Sequence, residues 1–172
     1  MAEWTTWPHA YGPATDTPRH LLALESGDEE AKRAAAFHFR SAIVHQSTIW
    51  PASPDAFAEL IRVLRTTDLP DDVLTECLLA LAEAGEHVPE ETRVIPELTP
   101  AGRAWLGKFA TASEDDHELL WEEFLGSPTE TEVYDWVLAR MAALRPEVAA
   151  LVTDLAQRHP EGLDEVRDTW LS

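Results

Sequence analysis

Cysteine is almost missing from this chain, with one residue, Cys77, in 172. A single thiol excludes an intramolecular disulfide, and within the apolar run 74–81 it reads as a small buried hydrophobe, which fits a reducing, cytoplasmic setting. Glycine is scarce, with seven residues. No phosphate-cradling Gly-rich loop and no G-x-S-x-G nucleophile elbow can be found. Positive charge is short as well: 13 Lys plus Arg stand against 32 Asp plus Glu, a formal charge of −19. Such an excess repels phosphate backbones and anionic lipid headgroups, so nucleic acid and membrane surfaces are disfavoured and a basic protein is the natural partner. No apolar stretch approaches the roughly 18 residues of a membrane span, and the first residues lack the basic and apolar segments of a signal peptide. The expectation is a soluble chain.

Hydrophobic residues at 45% and charged ones at 26% are ordinary globular proportions, and the length suits one domain with a real core. Alternation for strands is not evident, whereas Pro, Gly and Ser/Thr/Asp caps divide the chain into short helical segments, so the expected fold class is all-α. Thr15 or Asp16 caps a first helix carrying Leu21, Leu22 and Leu24. Ser26-Gly27-Asp28 ends it and caps a second, which runs to about Val44 with Ala31, Ala35, Phe39, Ala42 and Ile43 at helical spacing. Pro54-Asp55 opens a third with the stripe Phe57, Leu60, Ile61, Leu64. A fourth opens at Asp68-Leu69-Pro70, is apolar almost all round, and stops at Gly85. A Pro-rich connection occupies 86–100. Further helices are expected at about 101–112, 115–125, 129–144, 147–158 and 161–171.

The first four helices read as two hairpins that copy one another. Leu21 corresponds to Leu60, 39 residues on, and Asp28 to Asp71, 43 residues on, close to the ~40–47-residue period of two-helix solenoid repeats. The strings HAYGPATDTPRHLLALESGDEEAKRAAAFHF (9–39) and HQSTIWPASPDAFAELIRVL (45–64) resemble the HEAT-repeat domain proteins of actinobacteria, in which an opening HAYG motif, a helix near D-x-P and an HQGT-type loop follow in this order. The resemblance covers about residues 4–84. It implies a HEAT-like α-α solenoid of stacked antiparallel hairpins, with the helices after residue 100 as a degenerate C-terminal half; some members of the group look like immunity or accessory proteins. Ser47 stands where Gly is usual.

Catalytic and metal chemistry find little support. His38 and His45 lie seven residues apart, about 10.5 Å along a helix, too far to share an ion. His9 and His20 approach them only if the fold brings them together. Glu114 and His117 have the Glu-x-x-His spacing of a di-iron bundle, but only once, and acids there suit a helix start. Ser47 near His45 is no triad by sequence alone. No catalytic residue, metal ligand or cofactor is assigned.

The acids carry more information. Residues 1–85 have net charge −7 and residues 86–172 net −12, with a focus in EDDHELLWEEF. There Asp115, Glu118 and Glu122 share one helical face and Asp116 and Glu123 an adjoining one, while Leu119, Leu120 and Phe124 turn to the core. Among seven tryptophans, Trp136 and Trp170 sit at core spacing; Trp50 either fills the gap between hairpins or stands as an exposed anchor. The expected function is non-catalytic protein binding, masking a basic partner such as a toxin through Trp50, Trp121 and the carboxylates of 115–123, as an immunity protein or inhibitor would. The alternatives are an accessory scaffold holding a peptide or enzyme in the solenoid groove, and an enzyme, against which the charge argues.

Overall fold

The computed structural model describes residues 4–89, 94, 96–159 and 162–171, without the side chains of Glu114 and Asp115. These residues form α1 (Thr17–Ser26), α2 (Glu29–His38), α3 (Ser53–Thr66), α4 (Asp71–Gly85), α5 (Pro100–Thr111), α6 (Glu114–Phe124), α7 (Pro128–Ala142), α8 (Arg145–Ala156) and α9 (Leu163–Trp170). The chain is mostly helical, as periodicity indicates. Two short antiparallel hairpins were not expected: β1 (Pro8–His9) with β2 (Gly12–Pro13), and β3 (Val44–His45) with β4 (Thr48–Ile49). Strands of two residues are too short for alternation to show.

Side-chain caps open α2, α5, α6 and α7. The Asp28 carboxylate accepts from the Ala31 N–H, and Thr99, Ser113 and Ser127 accept from Gly102, Asp116 and Glu130 in the same way. Asp16 departs from its expected role: it holds the N-cap position of α1, but its side chain bonds His9 instead of a backbone N–H. Pro18, in the first turn, leaves one orphan donor fewer to cap. After α2 the chain widens into a π-helical turn, Phe39–Ile43, which delivers Val44 to β3.

α1 packs on α2 and α3, α2 on α4, α3 on α7 and α8, α4 on α9, and α8 on α9. α4 therefore lies between α2 and α9, which is why it is apolar nearly all round, and burial pushes the Cys77 thiol up to about 12. Trp170 is fully buried, and its indole N–H donates to the Leu81 carbonyl at 2.7 Å. Gly85 makes this seat possible: a Cβ there would come within 2.4 Å of the Trp170 ring. Arg33 to Asp72, Arg40 to Glu76, Arg62 to Glu25 and Arg65 to Asp154 form ion pairs across these helix contacts. Arg140 joins α7 to α3 in the same way through Asp55.

Candidate functional site

The β3–β4 hairpin faces the end of α6 and the start of α7 across a cavity of about 480 Å³. Thr48, Ile49 and Trp50 line it from the hairpin, Trp121, Phe124 and Leu125 from α6, and Glu130, Val133, Tyr134 and Val137 from α7. A mainly apolar, aromatic wall with a few polar groups is the usual make-up of a ligand pocket. The hairpin turn places Gln46 at φ 48° and Ser47 at φ 56°, both left-handed. That is the two-residue type I′ geometry that favours glycine. The Ser47 N–H donates to the Glu83 carboxylate at 3.1 Å, tying the turn to α4.

Trp50 and Trp121, 71 positions apart, meet edge to face with ring centroids 5.0 Å apart. Trp121 is the hub: it also touches Trp105, Phe109 and Phe124, while Trp105 stacks on Phe124 at 3.8 Å. Trp50 is half-buried and lines the cavity. Its indole N–H is buried without a partner among the described residues, as is that of Trp105. Burial raises the Tyr134 hydroxyl above its ordinary pKa; the Glu130 charge adds to this and a hydrogen bond with the Ile49 backbone opposes it. Glu130 accepts the Gly126 N–H with one carboxylate oxygen.

On α6, Asp116, Glu118, Glu122 and Glu123 are exposed. Asp116 bonds the Ser113 hydroxyl, whereas Glu118, Glu122 and Glu123 have no ion-pair partner among the described residues. The Asp115 side chain lies outside the described residues. Phe124 faces the core as expected; Leu119 does not and is 60% exposed, joined by Leu125 at 61%. The rings of the hub already fill the inward side of α6, which leaves Leu119 to solvent. Glu130 and Tyr134 are not among the residues the sequence singles out. Their four-residue spacing on α7 was the available signal, but nothing in it points toward Trp50.

The fold also gathers histidines. His9 Nε2 is 3.0 Å from Asp16 Oδ1, His38 Nδ1 3.9 Å and His20 Nε2 4.0 Å from Asp16 Oδ2, and His20 stacks on His38 at 4.1 Å. One ligand atom from each of His9, Asp16 and His38 lies within 4.8 Å of the others. The hydrogen bonds oppose a chelate. The Tyr11 N–H donates to His9 Nδ1, so the ring proton sits on Nε2 and points at Asp16, occupying the lone pair a metal would need. His38 Nε2 meets the buried Thr17 hydroxyl at 3.0 Å. The group works as a buried hydrogen-bond network that fastens β1 to α1 and α2.

His45 does not join it; its Nδ1 lies 3.4 Å from the Tyr11 hydroxyl. The His117 Nε2–H donates to the Phe109 carbonyl at 3.0 Å, and the imidazole stacks on the Phe109 ring. The Ser47–His45 pair is not developed into a catalytic arrangement among the described residues, and the Glu114 side chain of Glu114-x-x-His117 lies outside them. No helix of the described chain is long and apolar enough to cross a membrane. Compared with family models, with curated proteins and with solved structures, the chain matches none.

Proposed function

We propose that this protein is a non-catalytic binding module that docks a basic protein through α6 and the adjoining aromatic cavity, as an immunity protein or inhibitor masking a toxin would. One observation carries the reading: two of the predicted contact residues, Trp50 and Trp121, wall one cavity beside carboxylates that have no internal cation. Aromatic anchors supply affinity, and unpaired charge supplies steering. The packing order supports a HEAT-like solenoid. α1/α2, α3/α4 and α8/α9 form three successive helix pairs, with α1, α3 and α8 in one row, α2, α4 and α9 in the other, and α5 to α7 interposed. That interposed segment carries the site, which favours it over a plain solenoid groove as the docking surface. The resemblance to actinobacterial HEAT-repeat proteins points the same way, and a cytoplasmic setting fits the single thiol.

The test pairs capture with charge reversal. Wild type and the variant E118K/E122K/E123K are used as baits in lysate from the producing organism at low and high salt. A basic protein retained by wild type, released by salt and lost by the variant supports the reading; equal retention by both baits refutes it.

A further inference from the structure

We propose that the cavity between the β3–β4 hairpin and α6–α7 receives an arginine side chain of the partner, with Glu130 as its counter-ion and Trp50, Trp121 and Tyr134 as its aromatic walls. The inference deepens the docking reading and rests on it. Four features select this occupant. The walls contain the ring types whose faces attract a cation most strongly, and guanidinium is the cation that stacks on them best. Glu130 is the one carboxylate among the lining residues, and no lysine or arginine lines the cavity beside it. Glu130 uses one oxygen for the Gly126 N–H, and the described residues offer the other no partner. The chain has a surplus of 19 negative charges, and its unpaired α6 carboxylates adjoin Trp121, so any segment drawn here is basic. At about 480 Å³ the cavity takes the stem and head of an extended side chain together with a stretch of backbone.

A purely apolar occupant would fit the walls but leave the Glu130 carboxylate facing it without compensation, which is costly wherever water is displaced. An acidic side chain would meet Glu130 as a like charge. Lysine satisfies the charge but lacks the planar fork that bonds a carboxylate while lying on an indole.

The test is a titration of the whole protein with blocked tripeptides, acetyl-Gly-X-Gly-amide with X as arginine, lysine or norleucine, followed by the ¹H–¹⁵N signals of the seven tryptophan indoles. The arginine peptide is expected to shift the Trp50 and Trp121 signals and leave that of Trp170 in place. Norleucine is expected to bind about fivefold or more weakly, in keeping with the worth of a cation–aromatic contact and a counter-ion. E130Q keeps an oxygen for the Gly126 N–H, so it retains the fold, and is expected to erase the preference for arginine over norleucine. Norleucine binding as tightly as arginine, no shift at Trp50 and Trp121, or an unchanged preference in E130Q overturns the proposal. The two readings fail separately: a basic protein captured through α6 while the arginine peptide leaves the indoles unmoved removes the pocket and keeps the docking face.

Discussion

Two clusters of rings sit at opposite ends of the chemistry available to this fold. Around Asp16, directional bonds hold two of three histidines: Tyr11 and Asp16 fix His9, the Thr17 hydroxyl meets His38, and His20 stacks on the His38 ring. Around Trp121, five aromatic rings meet by contact alone, and the N–H groups of Trp50 and Trp105 have no acceptor among the described residues. Directional bonds close a cluster, because each polar atom must be matched. Contact between rings tolerates imperfect matching and has left a cavity beside it. The difference separates a part of the molecule built to hold its shape from a part with room for something else.

The sharpest way to break this contrast is to put the same ring into both clusters. His38→Phe keeps a planar ring but removes both nitrogens, stranding the fully buried Thr17 hydroxyl and loosening Asp16. It is expected to lower unfolding free energy by about 3 kcal/mol, the sum of a lost hydrogen bond and an unsatisfied buried group. Trp105→Phe loses some contact area but also deletes a buried N–H that has no acceptor, and the two effects offset, leaving a change within about 1 kcal/mol. Urea unfolding of both variants decides it; equal losses would mean that bonding and contact hold the two clusters alike.

Acid is the next probe, because the histidine cluster holds the His20 and His38 imidazoles displaced from their ordinary range. Burial, with the neighbouring His20, pushes His38 down to about 4; Asp16 opposes the shift, and His9 and Arg19 add to it. His20 is lowered as well, chiefly by burial. In the unfolded chain these rings take up protons near pH 6.5, so between pH 6.5 and 4 the unfolded state binds more protons and folding stability falls as pH falls. Asp16 is held below the ordinary carboxylate value, the His9 hydrogen bond and the His38 charge outweighing burial, and its contribution is lost further down in the same direction. Wild type is expected to lose about 2 kcal/mol between pH 7 and pH 4 relative to His38→Phe, measured by denaturant midpoints. Parallel pH curves for the two proteins would show that the histidine network is not what senses acid.

The two clusters are unequally legible in the sequence. The helices are legible because each apolar stripe is local, and Phe57, Leu60, Ile61 and Leu64 repeat on one face whatever they pack against. Asp28 is legible as a cap because its target lies three residues ahead. Asp16, in the same kind of position, is not legible, since its partner His9 precedes the helix and a nearby cap is the simpler use of the same carboxylate. Trp50 and Trp121 each stand out by type and neighbours, but their meeting depends on how a hairpin and a helix 71 positions apart dock. Leu119 failed for a related reason: periodicity gives the faces of α6, and only packing tells which face the rings have already filled.

The smallest expected effect falls on the aromatic side, at the rim of its cavity. Ser47 is held at φ 56° beside Gln46 at φ 48°, a conformation in which a Cβ crowds the following carbonyl and glycine does not. The contacts that matter there are made by backbone: the Ser47 N–H to Glu83, and the short ladder of His45 with Thr48. Ser47→Gly retains both and relieves the strain, while the greater freedom of glycine in the unfolded chain returns part of the gain, so a net stabilisation of about 0.5 kcal/mol is expected. Because the change is confined to the turn, the pH dependence set by the histidines should be untouched, and the arginine peptide should bind as well or slightly better to a hairpin that is less strained. A loss of stability in Ser47→Gly would mean that the serine side chain itself holds the turn, and that the cavity rim is fixed by a directional bond as the histidine cluster is.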